Sequence, residues 1–385
     1  MIENIREELA RLEALGLRRS FQVIVGPQGP VVRMDGREVL LMCSNDYLNL
    51  SNHPLVKKAA IEATERWGAG AGASRLVSGT MEPHAMLEER IRQFKGVEAA
   101  LLFNSGYNAN LALLSTLADR TAEVFSDRLN HASIVDACVL SRAKVTRYAN
   151  RDIDALERLL KTSKARTRII ITDSVFSMDG TLAPLHEISG LAERYGALLI
   201  IDDAHATGVL GNTGQGSLEH FGIKNPDIIQ MGTLGKALGS FGAFVAARKE
   251  VIDLLISKAR PLIYTTALPP SVCAAAAKAI DIIEEDPSLL KRLWQNTGRL
   301  KERLSLAGLD TMESSTPIVP VLAGDAKKVM KISASLLDKG VFIQGIRPPT
   351  VPDGTARLRA TLSAAHSTDD IDRAAAAIIE AFNVQ

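Results

Sequence analysis

Apolar positions recur along this chain with two periods. Ile5, Leu9, Leu12 and Leu15 fall on one helical face and Gly16 follows, which predicts an amphipathic helix over residues 2–15 that packs on another surface. Residues 21–43 read as short strands around the turn Asp35-Gly36, and they end at the polar segment Ser44-Asn45-Asp46-Tyr47-Leu48. His53–Trp67 returns to the helical period and leads into Gly68-Ala69-Gly70-Ala71-Gly72-Ala73-Ser74-Arg75. No strand precedes that Gly/Ala stretch and no Gly-Lys-Ser/Thr closes it, so neither nucleotide fingerprint applies; it reads as a mobile or tightly packed loop on the substrate side.

From Glu98 the pattern becomes strand, polar turn, helix, repeated. The apolar runs Ala99–Phe103, Glu123–Asp127, Arg168–Thr172 and Leu198–Ile201 are nearly continuous. Strands of that kind alternating with helices predict an α/β fold with a mostly parallel sheet covered on both faces, where ligands gather at the carboxyl ends of strands. Each such end carries a polar cluster. Asn104-Ser105-Gly106-Tyr107-Asn108-Ala109-Asn110 lies between a strand and a helix expected at Leu111–Leu117, so its backbone N–H groups suit a phosphate. Tyr107 either lies on a ring or packs on the helix. His131 sits at the next strand-to-helix junction, Ser177 follows the third strand, and Asp202-Asp203-Ala204-His205 follows the fourth. Asp202, Asp203 and His205 are metal-ligand types, but no second cluster of ligand spacing joins them, and no metal is expected.

The segment Asp227–Ala247 adds one lysine. Ile228-Ile229 and Gly242–Ala246 read as buried strands, and the Gly-rich stretch between them holds Lys236 without an acidic neighbour in sequence. An ammonium drawn out of water loses hydration, its pKa falls, and the free amine becomes a nucleophile that forms an imine with an aldehyde. Beyond it, Tyr264-Thr265-Thr266-Ala267-Leu268-Pro269-Pro270 breaks the alternation. The expected division is therefore an N-terminal arm with short strands (1–45), a large domain (46–266) and a smaller C-terminal α/β domain (267–385). In the last part Arg347-Pro348-Pro349-Thr350-Val351-Pro352 is a stiff loop, and Arg357 and Arg359 alternate on the strand behind it. They suit carboxylate capture, or else mark a solvated edge strand.

Composition narrows the partners. With 45 basic and 44 acidic residues the formal net charge is +1, which gives no field for nucleic acid. The N-terminal stretch is charged throughout, so no signal peptide is expected, and no apolar run reaches the roughly 20 residues of a membrane span. Cys43, Cys138 and Cys273 are scattered and odd in number, which fits a reducing cytoplasm and neither a disulfide framework nor a zinc site.

An imine-forming lysine, an acid at a strand end, two histidines and an anion site at a helix start together match what pyridoxal phosphate requires. The chain closely resembles the α-oxoamine synthase family of fold-type I pyridoxal-phosphate transferases, through SNDYL (Ser44–Leu48), SGTMEPHAMLE (Ser78–Glu88), SGYNAN (Ser105–Asn110), LNHAS (Leu129–Ser133), VFSMDG (Val175–Gly180), DDAHATG (Asp202–Gly208), GTLGKALG (Gly232–Gly239) and RPPTVPDGTARLR (Arg347–Arg359). The resemblance implies that Lys236 forms the imine with pyridoxal 5'-phosphate, Asp202 pairs with the ring nitrogen, and His205 and Ser177 approach the ring oxygen. It implies that His131 stacks on the ring and that Ser105, Gly106, Tyr107 and Thr233 surround the phosphate. Thr265 or Thr266 would reach the phosphate of the neighbouring subunit in a homodimer. Arg18, Asn45, Ser74, His131, Thr350 and Arg359 match substrate-holding positions. The implied reaction is decarboxylative condensation of L-alanine with a pimeloyl thioester of coenzyme A or acyl carrier protein, on the way to biotin. GTLGKALG is closer to the branch that joins glycine to acetyl-CoA, whereas SGYNAN and RPPTVP favour the alanine branch.

Overall fold

The computed structural model describes residues 1–384. Three sheets organise it. Strands β1 (Ile24–Val25), β2 (Val31–Met34) and β3 (Arg37–Leu41) come first, and the turn at Asp35-Gly36 joins the latter two as the sequence predicts. Then follow β4 (Ala99–Phe103), β5 (Ala122–Asp127), β6 (Lys144–Tyr148), β7 (Thr167–Asp173), β8 (Leu198–Asp202), β9 (Ile229–Thr233) and β10 (Ala243–Ala247). The last set is β11 (Ile318–Gly324), β12 (Val341–Phe342), β13 (Gln344–Ile346) and β14 (Ala356–Thr361). β12 runs parallel to β3, so the early strands are completed from the far end of the chain.

The central sheet has seven strands in the order β4-β10-β9-β8-β7-β5-β6. Its strands are apolar because both faces are covered. Ile169, Ile171 and Ile200 pack into the core beneath helices Gly106–Leu117 and Ala132–Ser141, whereas Ile170, Leu199 and Ile201 pack into the core on the opposite side. The sheet is parallel except at β10, which runs antiparallel to both β4 and β9. That reversal follows from the short connection after β9. Leu234 N donates to Gly242 O at 2.9 Å, so the nine residues carrying Lys236 turn straight back instead of crossing through a helix. The loop is held down from outside. Gly239 has φ +58°, and a Cβ there would lie 2.3 Å from Ser51 N, so only glycine lets this turn sit on the Leu50-Ser51 backbone.

Two expectations shift. The polar segment after β4 is not a free turn: the helix begins at Gly106, with Ser105 as its N-cap accepting from Asn108 N at 3.1 Å. A capping serine outweighs the asparagines' preference for turns. Likewise Arg357 and Arg359 are not on a solvated edge. β14 is the middle strand of the three-stranded sheet β11-β14-β13, and the two residues are 2% and 7% exposed. The Gly/Ala stretch ends in a wide helical turn, Arg75–Gly79, anchored by a two-pronged Arg75–Glu88 pair at 2.9 and 3.0 Å. The N-terminal helix Ile2–Ala14 buries none of its residues against this chain, and Ile2, Ile5 and Leu9 are exposed.

Below the carboxyl end of β8 lies a buried ion pair. Lys95 Nζ is 3.0 Å from Asp203 Oδ2, and Asp203 Oδ1 accepts from Ser174 Oγ at 2.7 Å and Ser217 Oγ at 2.5 Å. Both side chains are almost inaccessible, so each charge depends on the other. Replacing Lys95 with Met should cost about 3–5 kcal/mol, because it strands a buried carboxylate. Lys249→Met, which removes an exposed pair with Asp253, should change little. Urea denaturation of the two variants checks this; similar midpoints for both would refute the account.

Candidate active site

A cleft with about 550 Å³ of empty space, the open mouth included, lies at the carboxyl ends of β7, β8 and β9. Gly106, Tyr107, His131, Ser177, Asp202, His205, Thr233 and Lys236 line it, eight of the residues singled out from sequence. The parallel register explains the convergence. Asp173 and Asp202 are cross-strand partners at the last positions of β7 and β8, so their carboxyls emerge side by side. Asp202 Oδ2 accepts from Asn110 Nδ2 at 2.8 Å and Oδ1 from Ala204 N at 3.0 Å. Asp173 Oδ2 accepts from His131 N at 2.8 Å, which fixes the histidine at the start of its helix.

Burial raises both carboxyls above the ordinary range; the positive charge of Lys236 partly offsets this at Asp202, and the charge of Asp202 adds to it at Asp173. Lys236 moves the other way. Loss of hydration brings its ammonium down from 10.5 to about 8, against the opposing pull of Asp202 and Asp173. His205 is pushed well below the usual imidazole value by burial, then by the Lys236 charge, so it is neutral near pH 7. Its Nδ1 lies 2.8 Å from the hydroxyl of Tyr47, a fully buried phenol whose own pKa burial lifts to about 12. The phenol therefore keeps its proton.

Residues outside the sequence expectations complete the cleft. Asn110 Nδ2 bridges Asp202 and Ser133 Oγ, and Ser133 Oγ lies 2.8 Å from His131 Nδ1. A signal for Asn110 was present: it stands four residues after Gly106, one helical turn along the same face. Asp173 ends β7 as Asp202 ends β8, a parallel visible once the strands are aligned.

Other expected site residues lie elsewhere in the chain. Ser105 caps its helix and does not line the cleft. Thr265 and Thr266 are tied to Asn104, whose Nδ2 donates to Thr265 Oγ1 at 3.2 Å and Thr266 O at 2.9 Å, and Ser74 bridges to Thr266. Arg18 is exposed and paired with Glu13 at 3.1 Å, and Thr350 is exposed in its loop. Arg359 lies just behind Ser177. Its Nε donates to Ser177 O at 2.5 Å, its terminal nitrogens are 3.4 Å from Asn45 Oδ1, and its charge is felt at Lys236, His205 and Tyr47.

The donor set fits pyridoxal phosphate. It offers an amine able to react with an aldehyde, a buried carboxyl suited to a ring N–H, and a helix start whose first N–H groups have no intrahelical acceptor. Asn110 Oδ1, buried beside Asp202, also lacks a partner.

Comparison with known proteins agrees. The family model for aminotransferase class I and II matches residues 37–378. A protein of Geotalea daltonii named 8-amino-7-oxononanoate synthase is 56% identical over 98% of this chain and 97% of its own. Among solved structures, a serine palmitoyltransferase variant from S. paucimobilis with bound pyridoxal phosphate and myriocin superposes with a TM-score of 0.93 at 30% identity, covering 99% of this chain and 97% of that one. An 8-amino-7-oxononanoate synthase from Francisella tularensis does so with a TM-score of 0.77 at 30% identity, covering 89% and 97%. The chain belongs to the class I and II aminotransferase family, has fold type I, and is a pyridoxal-phosphate-dependent acyltransferase.

The lowered Lys236 value has a direct test. In cofactor-free protein, labelling of Lys236 by an amine reagent should rise with a midpoint near pH 8, since only the neutral amine reacts. Asp202→Asn removes a charge that favours the ammonium, so the midpoint should fall further. Peptide mapping across a pH series measures both, and an upward shift in the variant would contradict the assignment.

Proposed function

We propose that this chain condenses L-alanine with a pimeloyl thioester, releasing CO2 and the free thiol and giving 8-amino-7-oxononanoate, a step of biotin formation in the cytoplasm. The observation that carries the reading is the 56% identity, over nearly the whole of both chains, to a relative bearing that product's name. Arg359 supports it: a guanidinium beside the cleft with no carboxylate partner among the described residues is suited to a substrate carboxylate.

Bound pyridoxal phosphate supplies an aldehyde that takes up an amine and a protonated ring that accepts the electron pair left when a bond to Cα breaks. The rest falls to the chain. Lys236 would hold the cofactor through Nζ, and that amine, brought down to about 8, would move the proton at the substrate Cα. Asp202, oriented by Asn110 and Ala204, keeps a proton on the ring nitrogen. His205 and Ser177 would meet the phenolic oxygen, and Gly106, Tyr107 and Thr233, with the Ser105 cap behind them, would receive the phosphate. His131, fixed through Asp173 and Ser133, would pack against the cofactor ring and donate to the thioester oxygen as charge develops there. Arg359 and Asn45 take the alanine carboxylate, while Arg18, Ser74 and Thr350 border the acyl chain, whose carrier is coenzyme A or acyl carrier protein.

The reading includes a homodimer in which Thr265 and Thr266 complete the partner's phosphate site. Leu76, Val77, Phe241 and Tyr264, all more than half exposed, flank that region and suit burial between copies. Sedimentation should give a dimer at assay concentration, and a fully active monomer would rule the shared site out.

Substrate choice is tested by kinetics with both plausible pairs. L-Alanine with pimeloyl thioester should exceed glycine with acetyl-CoA by at least about a hundredfold in kcat/KM, or about 2.7 kcal/mol of differential transition-state binding. The reverse preference would move the chain to the glycine-condensing branch.

A further inference from the structure

The seven-stranded sheet and the C-terminal sheet meet along Ser177–Gly180. On one side Ser177 lines the cleft. On the other, Gly180 O accepts from Ser315 N and from Thr316 Oγ1, each at 3.0 Å. Gly180 has φ +67°, and a Cβ there would lie 2.3 Å from Ile318 O, so the contact tolerates no side chain.

β14 brings two buried arginines to this seam, two residues apart and therefore on one face. They are partnered differently. Arg357 is ion-paired to the Asp179 carboxylate, and its Nε donates to Thr355 O at 2.8 Å. Arg359 meets no carboxylate among the described residues: it donates to the Ser177 carbonyl, lies beside the Asn45 amide oxygen and reaches the Tyr47 hydroxyl. A buried pair such as Asp179–Arg357 gains little net stability, because desolvation consumes most of the attraction, so its value lies in what it orients.

We propose that Asp179 and Arg357 are a positioning pair that sets Arg359 against Ser177 and leaves it as the single guanidinium open to a substrate carboxylate. This rests on the reading of Arg359 as the carboxylate anchor. Two residues along a strand span about 7 Å. If Asp179 did not occupy Arg357, a carboxylate entering from the cleft would meet two unpaired guanidiniums that far apart. Binding at the wrong one displaces Cα from Lys236, and misplacements of about 1 Å already cost roughly a hundredfold in rate. Asp179 spends the charge of Arg357, and its neighbours Ser177 and Gly180 carry the resulting alignment to the cleft.

The test compares holoenzymes carrying Asp179→Asn, Asp179→Asn with Arg357→Gln, and Arg359→Lys. Three readouts are taken: cofactor absorbance, the dissociation constant of L-alanine from the absorbance change it causes, and KM for the thioester. Asp179→Asn should retain the cofactor spectrum, weaken alanine at least tenfold and move the thioester KM less than threefold. The doubly substituted enzyme leaves no unpaired buried charge on this pair, so it tolerates the loss of the pair better, and should still weaken alanine at least threefold. Alanine affinity at the parent value in both Asp179 variants, with Arg359→Lys impaired, overturns the positioning role. Parent affinity in Arg359→Lys instead overturns the anchor reading beneath it. Should neither Asp179 variant hold cofactor, the pair is a fold determinant and the proposal fails.

Discussion

The structure depends on the field shared by one ammonium and two buried carboxyls. Asp173 and Asp202 end adjacent parallel strands, and that register leaves two acidic groups side by side out of water. Left alone, each raises the other's pKa, and one would stay protonated. Lys236 enters this field from the β9–β10 turn and favours the charged carboxylate at Asp202, while the carboxylates hold its own amine near 8 instead of lower. A lysine tuned to that range is ionised in part at neutral pH and can both accept and give a proton. The tuning therefore comes from the sheet: strand order puts β8 beside β9, and the tight reversal into β10 brings Lys236 back over their ends.

Adjacent Asp202 and Asp203 show how the same register divides labour. Successive residues at a strand end point to opposite sides. Asp202 turns toward Asn110 and the cleft, and Asp203 turns toward Lys95, Ser174 and Ser217. One carboxylate is held ready for a ligand by two neutral donors. The other is consumed by an internal ammonium and two hydroxyls, and it pins the β8 end to helix Glu82–Lys95 and to the start of helix Ser217–Phe221. Fixing Asp203 fixes the backbone of Ala204, whose N–H in turn orients Asp202.

Much of this was legible in sequence because parallel strands write themselves as apolar runs with a polar residue at the end. The positions of Asp202, His205 and His131 follow from that rule, whereas Lys236 stands out by the Gly-rich stretch between two apolar runs, and only the family resemblance joins the four into one site. The helix start at Gly106 was not legible, since Asn108 and Asn110 carry turn propensity, and only the Ser105 cap and the face shared with Asp202 decide for helix. Burial of Arg357 and Arg359 was hidden for a different reason. Arginine is rarely buried, and nothing local reveals that β11 and β13 flank β14 or that Asp179, 178 residues earlier, supplies the counter-charge. Long-range pairing of this kind has no signature in a window of neighbouring residues.

The same reasoning separates the cleft from the residues that stand away from it. Everything on the β7–β9 ends is placed by one sheet, whose two faces pack into separate cores. Arg359 comes from the three-stranded sheet and approaches the cleft across the Ser177–Gly180 seam, whereas the Asn45 segment also approaches it through Tyr47 on His205. On the proposed reading, cofactor chemistry and substrate placement are thus built on different sheets. A substitution in the first alters proton affinity at Lys236 through charge, over distances where a buried field still acts. A substitution in the second alters where Arg359 stands, and with it only the smallest of the charge effects on Lys236, behind those of Asp202 and Asp173. Activity losses of equal size in the two groups would therefore differ in their pH dependence, because loss of Asp202 or Asp173 lowers the Lys236 amine further whereas withdrawal of the Arg359 charge raises it by less.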